Sequence, residues 1–295
     1  MAYPVVSAVY GLKPVSLTGG RVFAGSTRMV PISSGYGYNF FNGDVVQLSG
    51  GTLAVTTLGA ATSPVNGTIG VFVGCEYTNS SGQIIRSQYW PASTVSNYAV
   101  AYIVDDPQVV FKAAFQTQST SSVSNTPGTA VGYISEAFVG TNALLITNGS
   151  NGGSASGNTT TGDSGMGLTG TFLAGGTTQG NTRNTSGGAF RIIQTVTDTQ
   201  VVVQATGSSS SSTITLSSAN SAIQPGMQVI CTASGATNSA QGNYNYVTQV
   251  SGTSVTVANA IGTTASGSTY SFVGFPEALV QWNFGYHSYF NATGV

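Results

Sequence analysis

Short runs of alternating apolar and polar residues, separated by turn formers, fill most of this chain. A period of two sends every second side chain to one face, so each run predicts a β-strand with one face on a core. From Tyr36 the runs are YGYNFF, VVQL and TLAVTTL, divided by Asn42–Gly43–Asp44 and by Gly50–Gly51. An Asn–Gly pair between such runs predicts a hairpin. Residues 69–115 hold the densest aromatic and β-branched content: IGVFVGCEYT, a turn at Asn79–Ser80–Ser81–Gly82, QIIRSQYWPA, then YAVAYIVDDPQVVFKAAF. They predict consecutive strands packing one face inward. Residues 130–147 fit a strand or a short helix, and 189–197 (AFRIIQTVT) resume the strand pattern.

Between these runs the texture changes. Residues 1–35 read as an extended arm, since Pro4, Pro14 and Pro31 fix extended backbone and Gly19–Gly20 turns it. Without a core of its own, the arm is expected to lie on the body or on a partner. Residues 116–129 are a Ser/Thr-rich linker, and 148–188 a low-complexity polar loop expected on a neighbouring surface or subunit. Residues 199–276 contain no charge. There VTDTQVVV (196–203) and VSGTSVTV (250–257) share one pattern, each read as a turn feeding a strand. With turns at Pro225–Gly226 and Ser251–Gly252, two similar hairpins predict a small sandwich or barrel. The expected fold is all-β. It comprises an arm (1–35), a β-sandwich or barrel body (36–198 with 273–295), and an inserted β module (199–272).

Composition narrows the function classes. Only 15 of 295 residues are charged, while 40% are hydrophobic and 40 are glycine. Disorder needs the reverse, low hydrophobicity with high charge. A net charge of −1 argues against nucleic acid as a partner, because a basic surface is needed to displace counterions. No run suits a membrane span, and MAYPVVSAVYGLKPV lacks the regions of a signal peptide. Synthesis in a cytoplasm is therefore expected, with Cys75 and Cys231 as free buried thiols.

Candidate chemistry is sparse. Gly162–Asp163–Ser164–Gly165 spells the surround of a protease serine, yet the sole histidine, His287, follows it in the opposite order to that family. His287 reads as a packed or interface residue, and no metal site is expected, since no second histidine exists. Asp105 and Asp106 before Pro107 read as a turn or as ion-pair partners of an arginine such as Arg21 or Arg28. Glu76 reads as an ion-pair partner. No catalytic residue and no cofactor is expected.

GLKPVSLTGGRVFAGSTRMVPI with YGYNFFNGDVVQL, GVFVGCEYT with SQYWPA and AYIVDDPQVVFKA, and NFGYHSYFNATG together resemble a family of structural proteins of tailed bacteriophages found with marine and freshwater bacteria. The resemblance covers roughly 1–116, 189–198 and 273–295. It implies a non-enzymatic virion component made in the host bacterial cytoplasm, a capsid decoration (cement) protein on the capsid surface. A homotrimer bound to the phage major capsid protein follows from that, with neither nucleic acid nor membrane as partner. Candidate shell contacts are Arg21, Phe23, Arg28, Tyr36 and Tyr38, the two tyrosines reading equally as core. The alternative is a tail or head-fibre adhesin that recognises host glycans through Tyr244, Asn245 and Tyr246.

Overall fold

The computed structural model describes residues 4–56, 68–116, 134–146, 157–169, 188–231, 236 and 245–290. Among the described residues the chain is all-β, relieved only by three-residue 3-10 turns at Glu136–Phe138, Thr197–Thr199 and Ser288–Phe290. Two sheets make the body. The first runs, in spatial order, Gly167–Thr169, Asn142–Ile146, Phe190–Val196, Glu277–Trp282, Val109–Ala114, Leu12–Leu17 and Arg21–Val22. The second runs Arg28–Pro31, Ala99–Val104, Thr68–Thr78, Val45–Ser49 and Thr52–Val55, with Ile84–Ser87 also on Thr68–Thr78.

The alternation read from sequence places the core. Val109, Phe111 and Ala113 point inward with Leu12, Phe190, Val280 and Trp282, and meet Val45, Val71 and Val104 of the second sheet. The other face of the second sheet is covered too. Val46, Leu53, Ile69, Phe72 and Ile103 pack there with Phe40 and Trp90, whose short strands Phe40–Phe41 and Tyr89–Trp90 pair with each other. Thr68–Thr78 is thus buried on both faces, which corrects the one-faced expectation for 69–115 and explains its density of apolar residues. Each large side chain so buried contributes about 1.5–3 kcal/mol relative to exposure.

Turn chemistry divides likewise. Gly50 (φ 57°) and Gly51 (φ 82°) close a tight hairpin between Val45–Ser49 and Thr52–Val55, both in the left-handed region that such turns require. Asn42–Gly43–Asp44 is a turn but not a hairpin: Phe41 pairs with Tyr89 and Val45 with Val71, so the chain changes sheets there. The reason is packing. Gly11 crosses against Gly43 so closely that a Cβ on Gly11 would lie 2.6 Å from the Gly43 carbonyl oxygen.

Between Phe190–Val196 and Glu277–Trp282, which are neighbours in the body, the chain builds a third sheet. Its order is Gln228–Cys231, Ser268–Val273, Val202–Ser210, Thr213–Leu216, Ser254–Val257 and Val247–Ser251. Its edges meet: Val247 N–H donates to Met227 O (2.8 Å), Gly226 N–H to Val247 O (2.8 Å) and Val229 N–H to Asn245 O (3.0 Å). The sheet is a small closed barrel filled by Ile214, Val229, Val255, Tyr270 and Phe272. Of the two matching sequence runs, only 250–257 is a hairpin, turned by Gly252. Residues 196–203 instead carry the chain out of the body through Thr197–Thr199. Val196 pairs with Glu277 in the body and Val202 with Val273 in the barrel, so the same two stretches of chain serve both.

The N-terminal stretch is not an arm without a core. Leu12–Leu17 lies within the first sheet and Arg28–Pro31 edges the second, because Leu12 and Val30 complete the two cores. Residues 5–10 strap the barrel to the body: Val9 packs with Ala114, Val273 and Phe275, and Phe275 N–H donates to Val6 O (3.0 Å). Of the polar loop 148–188, residues 157–169 pack on the chain's own body, where Asn42 N–H donates to Gly162 O and Ser164 N–H to Asn42 O. The rest of that loop, apart from Gly188, and linker residues 117–129 lie outside the described residues.

Candidate functional site

Strand directions give the body two ends. Glu277–Trp282 runs away from the barrel, Val109–Ala114 toward it and Leu12–Leu17 away again, so Leu17, Val109 and Trp282 share the far end. The turn after Leu17, the Asp105–Gln108 turn and the residues after Trp282 gather at this pole. They are joined there: Thr18 N–H donates to Gln108 O (2.9 Å), and the Gln281 amide donates to Thr18 Oγ1. Two apolar side chains project from it almost fully, Val22 at 82% exposed and Phe284 at 84%.

Four charged groups share the pole. Arg28 Nη1 lies 3.2 Å from Asp105 Oδ2, and the Tyr289 hydroxyl sits between them, accepting from Arg28 (2.6 Å) and donating to Asp105 (2.7 Å). Asp106 Oδ1 accepts from Gln108 N–H (2.8 Å), a side-chain cap on the turn that Pro107 pre-sets. Arg21 donates to Gln108 Oε1 (2.6 Å). Beneath this layer His287 is buried, with Trp282 edge-on at 5.3 Å between ring centroids and Tyr289 at 5.0 Å. Burial holds its pKa below the ordinary 6.5, against the pull of the Ile69 backbone, Asp105 and Asp106.

The other sequence candidates scatter. Phe23 is partly buried against the body core. Tyr36 stacks on Phe40 (5.0 Å) and its hydroxyl accepts from Val55 N–H (2.9 Å), so it is a packing residue, with Tyr38 edge-on and exposed beside it. Glu76 pairs across strands with Arg86 (2.7 Å). Cys75 and Cys231 are buried thiols that form no disulfide. Asn245 is 1% exposed, its amide exchanging hydrogen bonds with the Asn259 backbone (2.9 and 3.0 Å). It therefore cannot present a glycan contact in this structure; Tyr246 is exposed, and Tyr244 lies outside the described residues.

The Gly-Asp-Ser-Gly stretch serves as a clasp. Ser164 is buried, donates to the Asp44 carboxylate and accepts from Met166 N–H (2.9 Å), while Asp163 meets Lys13 (2.8 Å). Lys13 also reaches Asn42 Oδ1 (2.7 Å). Burial raises the Asp44 carboxyl to about 7, over the opposing effects of Ser164, Phe41 N–H and Lys13. A cavity of about 640 Å³ opens beside it, between the strap and residues 157–165, walled by Val5, Val9, Tyr10 and Phe275. Ser164 is 2% exposed, so its hydroxyl is enclosed within the clasp.

Sequence reasoning reached Arg21, Arg28, Asp105 and Asp106 but missed Val22, Phe284 and Tyr289. The usable signal was an aromatic outside any alternating run, Phe284 before Gly285. Among the described residues no three His, Cys, Asp or Glu gather as a metal site, and no helix is long and apolar enough to cross a membrane. No protein-family model, curated protein or solved structure matches the chain significantly.

Proposed function

We propose that this is a non-enzymatic structural protein of a tailed-phage particle, a capsid decoration protein that attaches through the pole and carries the barrel outward. The observation that carries the reading is polarity of the molecule. Val22 and Phe284, each more than four-fifths exposed, stand with four charges at one end, and a barrel without charge stands at the other. Exposed apolar anchors rimmed by polar groups suit a protein partner. A closed, uncharged barrel of Ser, Thr and Asn suits a face left in water. The partner in this reading is the major capsid protein, and the protein binds it as a homotrimer. The adhesin alternative loses support with Asn245, which is committed to Asn259.

Labelled protein mixed with expanded, undecorated shells and, separately, with host cells tests this by sedimentation. Saturable binding to shells is expected, weakened about tenfold or more by V22S together with F284S, since buried anchors carry most of such an interface. Binding to cells alone, or to neither, would overturn the proposal.

A further inference from the structure

His287 is the only histidine in the chain and has no exposed surface. Its Nδ1 accepts the backbone N–H of Tyr289 (3.2 Å). A ring nitrogen that accepts carries no proton, so the neutral ring must carry its proton on Nε2. A second proton has to go to Nδ1. That turns the acceptor into a donor facing another donor, and the bond becomes a repulsion.

Tyr289 is what that bond holds in place, and its hydroxyl is the bridge between Arg28 and Asp105. The stretch just before it is anchored separately. The Asn283 amide donates to Asn142 Oδ1 (2.9 Å), Gly188 O (2.8 Å) and Phe190 O (3.1 Å), and the Tyr286 hydroxyl accepts from Gly188 N–H (3.1 Å). None of these contacts involves the imidazole.

We propose that His287 is an acid-sensitive latch: its protonation frees residues 287–290 from the pole while residues 283–286 stay fixed. The released part carries Tyr289; the retained part carries Phe284. Around the imidazole, Asp105 and Asp106 from the turn before Val109–Ala114 and the Ile69 backbone on Thr68–Thr78 favour the charged ring. Arg28 on the edge strand opposes it, Trp282 and Tyr289 present neutral rings, and burial outweighs the favourable groups. The latch concerns the pole's own conformation and does not depend on what the pole binds.

A single histidine makes the test direct. Long-range proton–nitrogen spectra of the full ¹⁵N-labelled chain should show the Nε2-protonated tautomer at neutral pH and a titration midpoint below the ordinary value of about 6.5. Below that midpoint, exchange of the Tyr289 amide, corrected for its intrinsic rate, should rise about tenfold per pH unit, as one-proton linkage requires. The Asn283 side-chain amide should stay protected throughout. In H287Q the new carbonyl can still accept from Tyr289 but cannot take up a proton, so the acid response should vanish. An Nδ1-protonated tautomer, a midpoint at or above 6.5, or an acid response that persists in H287Q would overturn the latch. If H287Q does not fold, the titration of the unaltered protein decides by itself.

Discussion

The body and the barrel solve the same problem with different means. The barrel satisfies its strands by closing on itself and fills its interior with residues such as Ile214, Val255 and Phe272, using no charge anywhere in 199–276. The body is two open sheets tied by irregular chain, and its charges concentrate at those ties. Lys13 with Asp163 fastens the 157–165 segment, Lys112 with Glu277 lies beside the strap residue Tyr10, and Arg28 with Asp105 fastens the pole. Of the four ion pairs among the described residues, Glu76 with Arg86 spans two paired strands and the other three lie at such ties. A closed ladder leaves no such places, which is why a barrel of uncharged residues can be well ordered.

The largest test is whether the two cores fail separately. Phe272→Ala in the barrel and Phe111→Ala in the body should each cost about 3–5 kcal/mol, the usual range for emptying a buried phenylalanine site. Both tryptophans, Trp90 and Trp282, lie in the body, so their fluorescence reports the body alone. Urea unfolding of F272A should leave the tryptophan transition in place while methyl signals of the barrel disperse at lower urea. F111A should shift the tryptophan transition itself. A tryptophan transition displaced equally by both would mean that the strap at Val9 and Phe275 fuses the two regions into one cooperative unit.

Proton dependence should separate the regions next. The folded pKa of Asp44, about 7, lies above its unfolded value near 3.9, so the fold holds an extra proton between them. Its burial therefore costs nothing below the unfolded value, and body stability falls as pH rises from there to about 7, by up to about 1.4 kcal/mol per unit, and levels off above. His287 has the opposite sign: its folded pKa is depressed, and the stability it supports is lost as pH falls below about 6.5. Below about 6.5 the two groups thus push body stability in opposite directions, and the barrel, with no charged side chain, should be indifferent. Asp44→Asn should remove the fall that Asp44 causes between about pH 4 and 7 in the tryptophan transition. A slope that survives the substitution would place its origin elsewhere.

A third comparison sets buried amides against buried carboxylates. Asn245→Ala in the barrel strands two backbone groups of Asn259 and should cost about 1–3 kcal/mol, read as a loss of barrel amide protection with the tryptophan transition unmoved. No loss would mean that water replaces both bonds.

Much of the fold was legible because its signals are local. Gly50–Gly51 closes the hairpin that its spacing suggests, and the uncharged run 199–276 coincides with the barrel strands. The prolines misled, for a physical reason. Pro14 sits at a register shift in Leu12–Leu17, and Pro31 ends an edge strand, two places where a missing N–H removes no ladder bond. A sequence rich in prolines thus looked like an arm while supplying strands. The site was half legible. Residue type marked Arg28 and Asp105, but Tyr289 joins them across separations of 261 and 184 residues, and no spacing rule reaches that far. Ser164 misled in the other direction, since only the fold reveals the Asp44 carboxylate against it.

The smallest effect concerns the pole's ion pair. Arg28 and Asp105 keep 41% and 19% of their side-chain surface in water, so much of their attraction is screened. Arg28→Gln should cost the body only about 0.2–1 kcal/mol at low ionic strength. The cost should shrink as salt shortens the screening length to about 8 Å at physiological strength. The barrel control is Thr248→Ala, which removes an exposed hydroxyl bonded to Thr256 O (3.1 Å) and no charge, so whatever it costs should not vary with salt. Urea midpoints at two ionic strengths for both variants read the difference. A cost above about 2 kcal/mol for Arg28→Gln would mean that Tyr289 shields the pair far better than its own exposure allows, and that the pole, like the barrel, is held by buried contacts.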